Sequence, residues 1–233
     1  MNAKKNKIKI AQKKNSIKNI EKIISLLQEE VKGFENPVIT KIEEVSRTPF
    51  MVLVCCLLSL RTQDTTTGPV AIKLFQQVQT PSDILKMGMK RLQDIIRPVN
   101  YYKTKSLRIM EICEFIVNEN DKKVPDTFDG LMALKGVGKK TAAITMVYGH
   151  KKPDFIPVDV HVHVISNRMG WVATKNAEET MDSLMKVMPK RYWRDLNELL
   201  VLHGQNVCIT NSPFCSKCAV NRYCLKIGVE KSR

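Results

Sequence analysis

The feature that most constrains this chain is the stretch at residues 50–60, Phe-Met-Val-Leu-Val-Cys-Cys-Leu-Leu-Ser-Leu, eleven residues with Ser59 as the single polar member. A helix of that composition is apolar nearly all round, so other elements must wrap it on every side. It is too short to cross a bilayer, which takes roughly 20 apolar residues, and Arg61 ends it. With Pro49 at its start, the stretch predicts a central buried helix over residues 49–60.

The rest of the pattern is helical as well. Ile20, Ile23, Ile24, Leu27 and Val31 recur at helix spacing, as do Leu107, Ile109, Ile112, Phe115 and Ile116. Thr80-Pro81-Ser82-Asp83 reads as a helix start. Further helices are expected over 129–134, 139–148, 159–169, 177–188 and 193–202. Alternation of period two is scarce, and only residues 158–165 resemble a strand. We find no internal repeat and expect an all-α fold. The 233 residues suffice for one or two small domains. Pro153 and Pro157 bracket a turn before Asp159, a place for the chain to change domain.

Lys and Arg number 38 against 23 Asp and Glu, a net charge of +15 that points to a polyanionic partner. Nucleic acid leads, and an anionic membrane surface is second. The first 22 residues hold eight Lys and one Glu. Residues 1–16 read equally well as a basic arm touching phosphates or as a solvated tail. Neither an apolar signal segment nor, in those 22 residues, an arginine is present. The reading therefore expects no secretory or mitochondrial leader.

Seven cysteines fall into two groups. Cys55, Cys56 and Cys113 sit in apolar stretches and read as core thiols. Cys208, Cys215, Cys218 and Cys224 follow a C-x6-C-x2-C-x5-C spacing. Without a secretory signal, such a group favours a metal site over disulfides. Zinc and an iron–sulfur cluster are both open to four thiolates.

At 134–142 the chain reads Leu-Lys-Gly-Val-Gly-Lys-Lys-Thr-Ala. Gly136 and Gly138, flanking Val137, allow a tight hairpin with outward N–H groups at the start of a helix. That is an anion site suited to a DNA phosphate. The same glycines equally serve a corner that only permits close packing. The Walker A spacing is absent. Lys140 falls in the first turn of the following helix, among other cations. The helix dipole and like charges favour its neutral amine, which can attack a sugar carbon and form a Schiff base. A surface lysine contacting phosphate has the same signature. Asp159, read alone, is an N-cap worth about 1 kcal/mol.

The order and spacing of these elements resemble the endonuclease III family of helix-hairpin-helix DNA glycosylases. The residues concerned are L-x-G-V-G-K-K-T-A at 134–142, P-V-D-V-H-V at 157–162 and the four cysteines. The similarity takes in residues 49–64, L-H-G-Q-N-V-C at 202–208 and Asn167-Arg168, and runs from about residue 19 onward. It implies two helical domains with a DNA cleft between them. A six-helix barrel with the helix-hairpin-helix is expected over 42–152. A cluster domain is expected from 17–41 with 153–233.

By the same resemblance Lys140 attacks C1′ of a damaged nucleotide, and Asp159 assists departure of the base. β-Elimination then nicks the strand on the 3′ side. Lys139 stands at a position where relatives also carry a basic residue. Cys208, Cys215, Cys218 and Cys224 would hold one 4Fe–4S cluster in a structural role, fixing a loop whose Lys217, Arg222 and Lys226 meet phosphates. Gly136, Val137, Gly138 and Lys139 would bind the backbone. Arg61, Gln63 and Tyr101 would enter the opened duplex, although loop packing also accounts for Tyr101. Asp64, as a helix cap, and His161 would support the site. The chain departs from the family at Arg61 (commonly Gln), Tyr101 (Leu), Val160 (Thr) and Val164 (Arg).

Expected substrates are oxidised or ring-saturated pyrimidines in double-stranded DNA, such as thymine glycol, and abasic sites. A monomer in a bacterial or archaeal cytoplasm, associated with the nucleoid and with no membrane partner, completes the expectation. The rivals are a mismatch glycosylase removing T or U opposite G, and a non-catalytic iron–sulfur DNA-binding module. Lys140 and Asp159 weigh against the latter.

Overall fold

The structure, a computed structural model, describes residues 17–34 and 48–233; the expected basic arm at 1–16 lies outside them. The described residues form helices and loops with no β-strand. The chain divides into two compact units, Met1–Asn36 with Val158–Arg233, and Pro37–Pro157. In the first unit, helix α1 (Ile20–Glu30) buries Ile20, Ile23, Ile24 and Leu27 on one stripe.

The second unit is built around α2 (Pro49–Ser59), in which every residue from Phe50 to Leu58 is buried. Thr48 caps it by accepting from the Met51 N–H at 3.3 Å, and Pro49 pre-sets the first turn. Helix α3 (Asp64–Phe75) was not expected, because Gly68-Pro69 interrupts the pattern. Burial of Val70, Ala71, Leu74 and Phe75 outweighs the one backbone bond that Pro69 cannot donate.

Helix α4 (Pro81–Ile96) opens with a reciprocal cap. The Asp83 N–H donates to Thr80 Oγ1 at 3.2 Å, and the Thr80 N–H donates to Asp83 Oδ2 at 2.9 Å. It breaks at Gly88, where φ is 79°. Helix α5 (Tyr102–Glu119) and the short α6 (Phe128–Met132) follow.

Helix α7 (Lys139–Ile144) runs into a π-turn at Thr145–Gly149, so the single helix expected over 139–148 widens half-way. Gly149 is required there, since a Cβ would lie 2.9 Å from the Pro49 Cα. In the first unit α8 (Val160–Met169), α9 (Ala177–Val187) and α10 (Leu196–Asn206) complete the set. Residues 158–165 are thus helical from Val160. The last helix starts and ends a turn later than residues 193–202.

Candidate active site and cysteine centre

The hairpin joins α6 to α7. Thr127 caps α6 by accepting from the Gly130 N–H at 3.1 Å. At Gly136 φ is +89°, a conformation that side-chain-bearing residues rarely adopt. Gly138 differs: its backbone is extended, and a Cβ built on it would meet nothing within 4 Å. Close packing therefore explains neither glycine. One serves the turn, and the other leaves a bare surface beside the first turn of α7.

Val137 lies between the two glycines of the hairpin expected to meet phosphate. Its side chain is buried in the core, and its N–H donates to the Leu134 carbonyl at 3.0 Å. The backbone groups that α7 does not satisfy begin after it. Lys139 and Lys140 follow, both half-buried. Lys140 lies near Cys56 on α2. Burial pushes that thiol up to about 12, and the lysine's positive charge only partly opposes this.

Two further turns of this unit carry Arg61, Gln63 and Tyr101, all exposed. Arg61 and Tyr101 both adopt left-handed backbone conformations, with φ of 52° and 58°. Asn100 links the turns: its Nδ2 donates to the Arg61 carbonyl at 2.6 Å, and its N–H donates to Thr62 Oγ1 at 3.2 Å. Beneath them the buried Lys105 Nζ donates to the Leu58 carbonyl at 2.6 Å and to Thr62 Oγ1 at 2.9 Å. Asp64 is not the cap of α3. Gln63 holds the cap position, and Asp64 begins the first turn, where its charge complements the helix dipole.

In the other unit Asp159 caps α8. Its Oδ1 accepts from the Val162 N–H at 2.9 Å, and the structure gives Oδ2 no hydrogen-bond donor among the described residues. Val160 beside it is 59% exposed. The His161 ring lies against the backbone of Gly204 on α10, with no room for a Cβ between them. Gly204 thereby sets how closely the first turn of α8 approaches α10, a role the sequence reading did not assign.

The four C-terminal cysteines are half-buried and line one cavity together with His203, Arg168, Ile165 and Phe214. Among the described residues no group of three or more His, Cys, Asp or Glu side chains is gathered closely enough to hold a single metal ion. Burial pushes Cys224 up to about 11, and the charges of Cys208, Cys218 and Cys215 add to it.

Arg168 donates to Cys208 Sγ at 3.3 Å and to the carbonyls of Cys208, Ile209 and Thr210 at 3.1, 2.9 and 2.6 Å. Glu30, at the end of α1, accepts from the Ala219 N–H at 2.8 Å and pairs with His203 at 2.6 Å. Burial opposes both charges. Even so, hydrogen bonds from His203 and Ala219 hold the Glu30 carboxyl below its usual range, and bonds to Cys208, Cys218 and Glu30 raise His203 to about 11. Lys217 and Arg222 are exposed, leaning over the Phe214 and Tyr223 rings.

Sequence reasoning missed Lys105, Glu30 and His203. The signal for the first two was present. Lys105 shares the stripe of Ile109, Ile112 and Ile116, and Glu30 that of Ile23 and Leu27, each a charge on an apolar face.

The family model described as HhH-GPD superfamily base excision DNA repair protein matches residues 54–190. Endonuclease III of Thermotoga maritima is 40% identical over 176 residues, 76% of this chain and 82% of that protein. Endonuclease III of Escherichia coli K12 is 30% identical over 177 residues, 76% of this chain and 83% of its own. The fold is similar to that of endonuclease III in a trapped covalent intermediate with DNA, with a TM-score of 0.79, 27% identity and coverage of 90% and 96% of the two chains. A thermostable thymine-DNA glycosylase shares the fold at a TM-score of 0.76 with 21% identity, covering 91% of this chain and 95% of that one. On these grounds the chain belongs to the HhH-GPD superfamily of base excision DNA repair proteins, and within it to the endonuclease III glycosylases and AP lyases.

Proposed function

We propose that Lys140 is the nucleophile and Asp159 its electrostatic partner in removing oxidised or ring-saturated pyrimidines from double-stranded DNA. The observation that carries the reading is the bare surface at Gly138, two residues before a half-buried lysine. It suits close approach of a DNA backbone to the hairpin. In this reaction the Lys140 amine attacks C1′ as the glycosidic C–N bond breaks, and the base leaves with that bond's electron pair. The Asp159 carboxylate stabilises positive charge on the sugar and takes up the amine proton. The sugar ring opens to an imine, loss of the C2′ proton follows, and the C3′–O bond breaks. The covalent DNA intermediate recorded for the related endonuclease III supports this course. Asp159 uses one oxygen as a helix cap, which orients the other.

We further propose that Cys208, Cys215, Cys218 and Cys224 hold one 4Fe–4S cluster. The four thiols fit it. They line one half-buried cavity, and Arg168 and the Lys226 N–H donate to sulfur at 3.3 and 3.4 Å. The cluster's contribution is to fix the loop bearing Lys217 and Arg222, which bind phosphates together with Lys139. Arg61, Gln63 and Tyr101 occupy the opened duplex. The enzyme works as a monomer in a bacterial or archaeal cytoplasm. Among the described residues no helix is long and apolar enough to cross a membrane.

Lys140→Gln and Asp159→Asn, assayed on duplexes carrying thymine glycol, an abasic site, G·T or G·U, test the reading. Both variants should bind DNA and lose nicking, by about 10³-fold or more for Lys140→Gln. The wild type should prefer thymine glycol and the abasic site. Full nicking by Lys140→Gln, or action on G·T and G·U alone, contradicts it.

A further inference from the structure

We propose that Lys105 is a positioning residue for opening the duplex. Its buried ammonium, together with the Asn100 amide, joins the Arg61 turn and the Tyr101 turn into one rigid edge. This rests on the reading above that Arg61 and Tyr101 enter the DNA.

The connections run from beneath. Lys105, 7% exposed on α5, donates to the Leu58 carbonyl in the last turn of α2 and to the Thr62 hydroxyl. That hydroxyl also accepts from the Asn100 N–H, and the Asn100 amide donates to the Arg61 carbonyl. Two hydrogen bonds thus join the two turns directly, and two more from Lys105 tie the start of α5 to the end of α2 and to Thr62, segments about 40 residues apart in sequence.

Both turns present their side chains to solvent. Arg61 is exposed, Tyr101 is 63% exposed, and both are non-glycine residues in the left-handed region. Such conformations cost on the order of 1 kcal/mol each and persist only where neighbours over-determine them.

A purely structural tie needs no lysine. Burying an ammonium is costly, and the burial draws Lys105 down to about 8. An apolar chain of similar length would fill the same stripe beside Ile109 without that penalty. What the lysine adds is a donor that reaches the end of α2 and the Thr62 hydroxyl at once. It fixes where Arg61 leaves the helix relative to Tyr101.

The test compares Lys105→Met and Asn100→Ala with wild type, Arg61→Ala and Tyr101→Ala. Folding is checked by thermal melting. One readout is single-turnover nicking of a duplex with a paired lesion against a single-stranded oligonucleotide with an abasic site, where no partner strand must be parted. The other is the fluorescence of 2-aminopurine placed opposite the lesion, which reports loss of stacking.

Lys105→Met should slow duplex nicking about ten-fold, reduce the fluorescence rise, and change single-strand nicking less than about two-fold. Asn100→Ala should act in the same direction and less. Equal losses on both substrates, or none on the duplex while Arg61→Ala and Tyr101→Ala lose activity, overturn the proposal. Full duplex activity of Arg61→Ala and Tyr101→Ala would instead overturn the reading on which it rests. If Lys105→Met does not fold, Asn100→Ala carries the same comparison at the exposed end of the link.

Discussion

In the unit Pro37–Pro157, Lys140 stands on a short helix anchored by apolar packing. Val137 and Ala142 belong to the main core, and Ile144, Val147 and Tyr148 pack with Val52 and Cys56 of α2. In residues 207–233 the buried apolar side chains are few, Val207 and Val220 among them, and regular structure shrinks to one turn at Asn221–Tyr223. That segment hangs on polar pins: Arg168 on three carbonyls, Glu30 on the Ala219 N–H and on His203. The contrast shows two ways of holding a functional group still. A core positions Lys140 with no cofactor. The cysteine loop, lacking a core, depends on charged hydrogen bonds and, on the proposal above, on a 4Fe–4S cluster.

Changes on the two sides should therefore separate. Cys218→Ser should release residues 207–233, raising their amide exchange by about 10³-fold or more while α2 and α5 stay protected. Parallel loss of protection in α2 would erase the distinction. Arg168→Met leaves three part-buried carbonyls without their donor and should cost about 2–3 kcal/mol in denaturant unfolding, with loss of iron from the proposed cluster. Leu53→Ala, at 0% exposure in the opposite region, should cost about 3 kcal/mol and leave the iron content unchanged.

The smallest effect is a pH dependence. Burial lowers Lys105 to about 8, from 10.5 in the unfolded chain. Between those values the unfolded state binds more protons, so stability from this residue rises with pH across the window and its penalty is complete below it. The wild type should gain about 1–3 kcal/mol on Lys105→Met between pH 7.5 and 10. A difference that is flat or falls with pH would contradict the burial of a charged amine.

Much of this was readable from residues alone. The all-round apolar stretch is α2, the Thr-Pro-Ser-Asp start is a reciprocal cap, and G-V-G does open the helix bearing Lys140. What escaped were places where tertiary burial overrules local chemistry. Gly68-Pro69 sits inside α3 because its neighbours are buried. Val137 keeps its N–H for Leu134, since a hairpin this tight closes on itself. Lys105 and Glu30 show only as charges on apolar stripes, a signal that names neither residue's partner, and Gly204 is hidden by the lack of any pattern linking it to His161. Such pairings depend on which elements meet, which no local spacing encodes.

The central claim is that Lys140 forms the covalent bond to DNA. Borohydride trapping on a duplex with one thymine glycol opposite adenine, for wild type and Lys140→Gln, tests it most directly. The account predicts a stable protein–DNA adduct with wild type, mapped to the peptide containing Lys140, and none with the variant. An adduct of equal yield from Lys140→Gln, or one mapped to Lys139, would contradict it.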